Sequence, residues 1–165
     1  MKKLTNIEGL DVVELDNGAV RFIGDVDVDI DGADQNGKPY DARGDRYYHP
    51  RTSLQFNGKS LDARKVPYVV VPLQLPAMVK GVVLGCKAVV EDMLYGITAV
   101  GVVGDLGPTS KDGEVSVKMA AQLGLNDSPV NGGCDQARFR YTIFPDVPAV
   151  VDGVTYNLQP LRKRK

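Results

Sequence analysis

The chain is poor in the residues on which many reactive centres depend. It holds one histidine, His49, and two cysteines, Cys86 and Cys134, in 165 residues. Two cysteines permit at most one disulfide, and without a further Cys or a second His there is no zinc constellation. Both read as free, buried thiols. No Ser- or Cys-centred motif accompanies His49, so it reads as a structural residue rather than a catalytic base. No apolar run approaches the ~20 residues needed for a membrane-crossing helix. The start, Met1-Lys2-Lys3, meets Asn6, Glu8 and Asp11 at once and carries no apolar core of the export-signal kind. A surplus of charge is also missing: 20 basic and 21 acidic residues give a formal net charge of −1. That removes the broad basic field that gathers nucleic acid. Neither a nucleic acid nor a membrane is therefore expected as a partner.

What is present describes one ordinary globular domain. The chain is long enough for a core and short for two domains, and 43% apolar with 25% charged residues is typical. Charge is uneven along it. From Glu8 to Asp34 there are nine acidic residues and one basic, Arg21, whereas Arg162-Lys163-Arg164-Lys165 closes the chain. A basic tail is one route to nucleic acid or membrane, but so short a run reads as a solvated end. A single domain over 1–165 is expected, polar and irregular over residues 1–20 and frayed over 1–10 and 161–165.

Short strand patterns dominate. Turn signals at Asp16-Asn17-Gly18, Asn57-Gly58 and Asp152-Gly153 separate apolar runs. Val66-Pro-Tyr-Val-Val-Val-Pro72 is a buried strand closed by proline. Val79–Val90 and Leu94–Val103 flank Glu91-Asp92-Met93 as a hairpin, and Phe139–Phe144 alternates. The pattern predicts a mainly β protein: a compact single-domain β-barrel, with the double-psi type as one form of it, and one main helix near 115–125.

The most structured stretch is Gly101–Ala120. Ile97–Val103 reads as a buried strand. Gly104–Gly113, with three Gly, one Pro and two Asp, reads as a tight loop. Val115–Leu125 has helical spacing, with Gly124 as a stop signal. Asp105 would then enter a loop from a strand while Glu114 stands at a helix start. Two acids held nine residues apart across a rigid turn match the carboxylate pair of a glycosidase. Each also has a plain reading, Asp105 as a turn residue and Glu114 as a complement to a helix N-terminus.

A second acidic feature is Asp25-Val-Asp-Val-Asp-Ile-Asp31. Strict alternation turns Val26, Val28 and Ile30 inward and sets Asp25, Asp27, Asp29 and Asp31 on one face. Like charges in a row call for a cation, a basic partner or open water. Asp27, Asp29 and Asp31 copy the opening of a calcium loop, but its twelfth position is Lys38 rather than a bidentate Glu. No cofactor is expected; calcium at Asp27, Asp29 and Asp31 ranks behind a subsite for a cationic ligand. Tyr47 and Tyr48, at the end of a long polar connection, offer a sugar-stacking face.

Taken in order, Asp27–Gly32, Thr52-Ser-Leu54, Leu61-Asp-Ala63, Pro67–Pro72, Val103-Gly-Asp-Leu-Gly-Pro108, Gly113-Glu-Val-Ser116 and the Ala120…Leu123-Gly124 end look familiar. The chain resembles the family 75 glycoside hydrolases, the fungal-type endo-chitosanases, in a short bacterial or phage-like form. The resemblance implies an endo-acting, inverting hydrolase of β-1,4-linked glucosamine polymer. It places the catalytic pair on Asp105 and Glu114. A helix N-terminus would favour the charged form of Glu114, and desolvation after a buried strand would raise Asp105, which makes Asp105 the acid and Glu114 the base. The resemblance also implies a monomer acting on a polysaccharide and a secreted setting. This chain carries no export signal; if it is full length, the expectation is a cytoplasmic protein until release. The chain departs from the fungal pattern in its length and in carrying Ile30 where the fungal chains have a cysteine. A partly deacetylated wall glycan is an alternative polymer. Alternatives of other classes are a carbohydrate-binding or virion-associated structural barrel without activity, and a calcium-stabilised adhesion-like domain.

Overall fold

The computed structural model describes residues 1–34, 36–38, 48–108 and 113–160. It opens on a hairpin of β1 (Lys2–Ile7) and β2 (Leu10–Glu14), turned by Glu8 and Gly9, both at positive φ. The polar stretch over residues 1–20, whose turn pattern suggests a hairpin near the start, thus holds one over Lys2–Glu14. Ladder hydrogen bonds and the buried side chains of Ile7, Leu10 and Val12 outweigh the polar composition. The Asp16-Asn17-Gly18 turn, in which Asn17 Oδ1 accepts the Ala19 N–H at 3.0 Å, leads into β3 (Val20–Asp29). A small hairpin, β4 (Gln55–Phe56) with β5 (Lys59–Ser60), uses Asn57-Gly58 as its turn.

The wall of the molecule follows. It comprises β6 (Tyr68–Pro72), a one-turn helix α1 (Leu75–Met78), β7 (Cys86–Asp92) and β8 (Ile97–Gly107). Next come β9 (Glu114–Ser116), helix α2 (Val117–Gln122) and the long β10 (Cys134–Pro148). The hairpin β11 (Val150–Val151) and β12 (Val154–Thr155) ends the strands. Six strands pair in the order β3-β10-β7-β8-β6-β9, and β9 pairs back onto β3, closing a barrel. Two of the six contacts, β6–β8 and β3–β9, are parallel; the others are antiparallel. Closure removes sheet edges. The core is aliphatic around stacked Phe22 and Tyr141, whose rings lie 4.8 Å apart at 9°. Both cysteines are free thiols, Cys86 buried and Cys134 half-buried.

Two boundaries differ from the sequence reading, and both concern the acids. The run 115–125 is not helical from its start. Val115 is fully buried between Val28 and Val69 in β9, and the helix begins at Val117 with Ser116 as its cap. Ser116 Oγ accepts the Met119 N–H at 3.2 Å and the Tyr68 N–H at 3.0 Å, and donates to Val66 O at 2.8 Å. Pairing on both sides and burial of Val115, worth about 1.5–3 kcal/mol, outweigh the helical spacing. Glu114 therefore belongs to a strand, and the argument for its charged form from a helix N-terminus falls. Likewise β8 does not end at Val103 but runs through Gly104 to Gly107, so Asp105 is a strand residue. Nor is β8 buried on both faces, since Ile97 and Val100 are exposed.

Candidate active site

Strand register assembles the site. Val70 of β6 is the ladder partner of Asp105 on β8 and of Glu114 on β9, and Glu114 is in turn the partner of Asp27 on β3. Partners in a ladder share a face of the sheet. Asp105, Val70, Glu114 and Asp27 therefore form one transverse row across four strands. Asp105 joins it through a bulge. The register steps from Val69↔Val103 to Val70↔Asp105, leaving Gly104 as the extra residue. Strict alternation would keep Asp105 on the face of Val103; the bulge turns it onto the face of Glu114. Only glycine suits position 104, because a Cβ there would lie 2.8 Å from Leu61 Cδ1 and from Tyr68 Cβ.

The extra residue also anchors the segment that covers the row. Gly104 O accepts the Leu54 N–H at 3.0 Å. Next to it, Ser53 donates twice to Asp105 Oδ1, from its N–H at 2.9 Å and its hydroxyl at 2.8 Å. The Leu106 N–H adds a third bond to the same oxygen at 2.9 Å. Oδ2 takes no hydrogen bond from the described residues and remains the oxygen available to a ligand. Burial raises the Asp105 carboxyl above its ordinary range, and the Ser53 N–H is the main opposing influence.

Glu114 is half-buried and reaches across to β8. Its Oε2 lies 3.4 Å from where a Cβ on Gly107 would stand, so the missing side chain at 107 makes room for it. Gly107 and Asp105 are alternate residues of one strand and share a face, roughly 6.6–6.8 Å apart along it. The residue before Glu114 is held by β3: Gly113 N–H donates to Asp25 Oδ1 at 3.1 Å and Gly113 O accepts the Asp27 N–H at 2.9 Å.

A second group of carboxylates adjoins the pair. Asp29, Asp31 and Asp105 each offer an oxygen within 4.8 Å of the others. Asp29 is buried; its Oδ1 accepts the Asp31 N–H at 2.8 Å, and the buried Tyr68 hydroxyl lies 3.3 Å from its Oδ2. That hydroxyl also donates to Asp31 O at 2.9 Å, while Asp31 Oδ1 accepts the His49 N–H at 2.8 Å. Burial, then the Asp31 charge, pushes the Asp29 carboxyl up to about 8. Burial pushes Asp31 up to about 7 against the His49 N–H. Near neutrality the group holds protons, as like charges at this spacing require. The same three oxygens are the place among the described residues where a small cation would sit. This set differs from the expected calcium triad: Asp105 replaces Asp27, which faces Glu114 instead.

Asp31 and Asp105 line a cleft of about 320 Å³ with His49, Pro50, Arg51, Ser53 and Leu106. Of the expected sugar-binding residues, Asp31 is at this cleft, Asp29 is buried beneath it, and Asp27 lies in the transverse row. Tyr48 is half-buried, with its hydroxyl donating to Gly32 O at 2.9 Å. Tyr47 lies outside the described residues. Nothing in the sequence pattern marks Ser53, Tyr68, Gly104 or Gly107 as a site residue. Ser53 stands 52 positions from its carboxylate partner, and no local pattern links them.

Carboxylates gathered on one side of a closed barrel, with Asp31 and Asp105 at an open cleft, can serve acid–base hydrolysis. The family model described as fungal chitosanase of glycosyl hydrolase group 75 matches residues 26–160, and the chain belongs to that family. It is a chitosan-degrading glycosidase by class. No curated protein matches it. The matched span contains Asp27, Asp29, Asp31, Asp105 and Glu114.

Proposed function

We propose that the protein cuts β-1,4-linked glucosamine polymer within the chain by inversion, using Asp105 and Glu114. One observation carries the reading. The bulge at Gly104 brings Asp105 into the same row as Glu114, and the Glu114 carboxylate comes down over Gly107, two residues along the strand from Asp105. Inversion requires the two carboxyl groups to stand roughly 6.5–9.5 Å apart, against ~5–5.5 Å for retention, and the placement of Glu114 over Gly107 rather than directly against Asp105 supports the wider arrangement.

The chemistry then follows from surroundings. Asp105 is the acid. Burial favours its protonated form, and its unbonded Oδ2 delivers the proton to the glycosidic oxygen as the bond to the leaving sugar breaks. The three donors on Oδ1 stabilise the carboxylate left behind. Glu114 is the base. It takes a proton from a water that attacks the anomeric carbon from the opposite side. Asp27 and Asp31 face the protonated amines of the polymer. An acidic wall of this kind favours deacetylated over acetylated sugar, since acetylation removes the positive charge.

The test is hydrolysis of chitosan by Asp105→Asn and Glu114→Gln variants. Each loses 10²–10⁴-fold in kcat with its melting temperature nearly unchanged. Retention of near-wild-type activity by both would end the assignment.

A further inference from the structure

The site cleft does not end at the acids. It shares Pro50 and Arg51 with an adjoining, larger cavity of about 680 Å³. The described lining of that cavity is Ala33, Gly37, Pro50, Arg51, Gln55, Gly58, Lys59 and Ser60. Its charged members are both cations, Arg51 and Lys59, and both are exposed. Both volumes lie within the range of ligand clefts. The charge thus changes along the two cavities: Asp31 and Asp105 line the first, Arg51 stands at the junction, and Lys59 joins Arg51 in the second.

That gradient does not fit a polymer bearing only ammonium groups. A protonated glucosamine beside Arg51 and Lys59 meets like charge, and like-charge juxtaposition is how a site rejects a ligand. A guanidinium and an ammonium, with no acidic residue in the described lining of that cavity, instead suit a carboxylate, which Arg binds in a fork and Lys as a point charge. We propose that the groove is built for an amino-sugar polymer of mixed charge. The sugar at Asp31 and Asp105 carries a free amine, and a sugar in the Arg51–Lys59 cavity carries a carboxylate. This rests on the hydrolase reading above and deepens it, naming Arg51 and Lys59 as specificity residues for an anionic substituent. Gln55 is part of the cavity's frame: its amide donates to Thr52 O at 2.8 Å and Ser60 Oγ at 3.0 Å, and so ties the β4–β5 hairpin to the segment carrying Arg51.

The experiment compares two polymers of one backbone, chitosan and O-carboxymethyl chitosan, by release of reducing ends. The wild type, Lys59→Glu and the Arg51→Glu/Lys59→Glu pair are assayed, with melting temperatures as a check on folding. The wild type cleaves the carboxymethylated polymer with kcat/KM at least equal to that for chitosan. The double variant shifts the ratio of the two kcat/KM values tenfold or more toward chitosan, and Lys59→Glu shifts it part of the way. Methyl esterification of the carboxymethyl groups removes the wild-type preference. An unchanged ratio in the charge-reversed variants, or a wild type that cleaves only chitosan, overturns the mixed-charge proposal and leaves the hydrolase reading standing. Failure to cut either polymer overturns both.

Discussion

Replacing Asp29 by asparagine stabilises the protein above neutral pH and flattens the dependence of its melting temperature on pH. Asp29 is held up to about 8 by burial and by Asp31, and Asp31 up to about 7 by burial. In an unfolded chain both titrate near ~3.9. Between about pH 4 and 8 the folded state therefore binds more protons than the unfolded one. The stability linked to these groups is complete below the unfolded value and is lost as pH rises through 7 and 8. Each unit of difference is worth ~1.4 kcal/mol, so the rise on Asp29 alone sets a ceiling near 6 kcal/mol. Because Asp29 and Asp31 share their protons, about half of that, roughly 3 kcal/mol, is the expected loss between pH 5 and 8.5. At ~2–4 °C per kcal/mol for a domain of this size, the wild-type melting temperature falls by about 10 °C. Asparagine keeps an oxygen for the Asp31 N–H and removes the charge. Thermal melts of both proteins across that range decide the matter. The variant melts above the wild type at pH 8.5 and shows a shallower slope. A wild-type melting temperature that climbs with pH over this range, or a variant destabilised equally at both ends, would refute the reasoning.

Further outcomes follow from the same geometry. Ser53→Ala removes the hydroxyl bond to Asp105 and keeps the N–H bond; the carboxyl moves further up, so the alkaline limb of the pH–kcat profile shifts to higher pH. Gly104→Ala places a methyl 2.8 Å from Tyr68 Cβ and Leu61 Cδ1, and lowers stability by ~1–3 kcal/mol together with activity, read by melting and by reducing-end release. Gly107→Ala sets a methyl 2.9 Å from Val70 Cγ1 and 3.4 Å from Glu114 Oε2, and reduces kcat proportionately more than it reduces melting temperature. A chelator leaves the melting temperature unchanged; a fall would mean that a cation bound to the folded state had been removed from Asp29, Asp31 and Asp105.

Much of the barrel is legible in the chain because its signals are local. Asn57-Gly58 and Asp152-Gly153 mark their hairpins, and the valines of Tyr68–Pro72 announce a buried strand. The acids at Asp105 and Glu114 stand out through the Gly/Pro-rich stretch between them. What the chain does not display is what tertiary pairing decides. Glu114–Ser116 becomes a strand because β3 and β6 flank it, and nothing within residues 113–125 reports those partners. The bulge at Gly104 depends on register with β6, which a run of valines leaves undetermined. The burial of Asp29 depends on Tyr68, 39 residues away. Strict alternation predicts a uniform face for the Asp row, yet Asp27 joins Glu114 whereas Asp29 and Asp31 join Asp105. The chain leaves the strand after Asp29, so the period-2 rule stops applying midway through the row.

The most direct test of the account is the anomeric form of the first reducing ends released from chitosan by the wild-type protein, followed by time-resolved proton NMR. Inversion at a β-1,4 linkage by a pair spaced to admit a water yields the α-anomer first, with the β-anomer growing in only as the sugar mutarotates. Initial appearance of the β-anomer would mean a covalent intermediate and a closer carboxylate pair, and would contradict the roles given to Asp105 and Glu114.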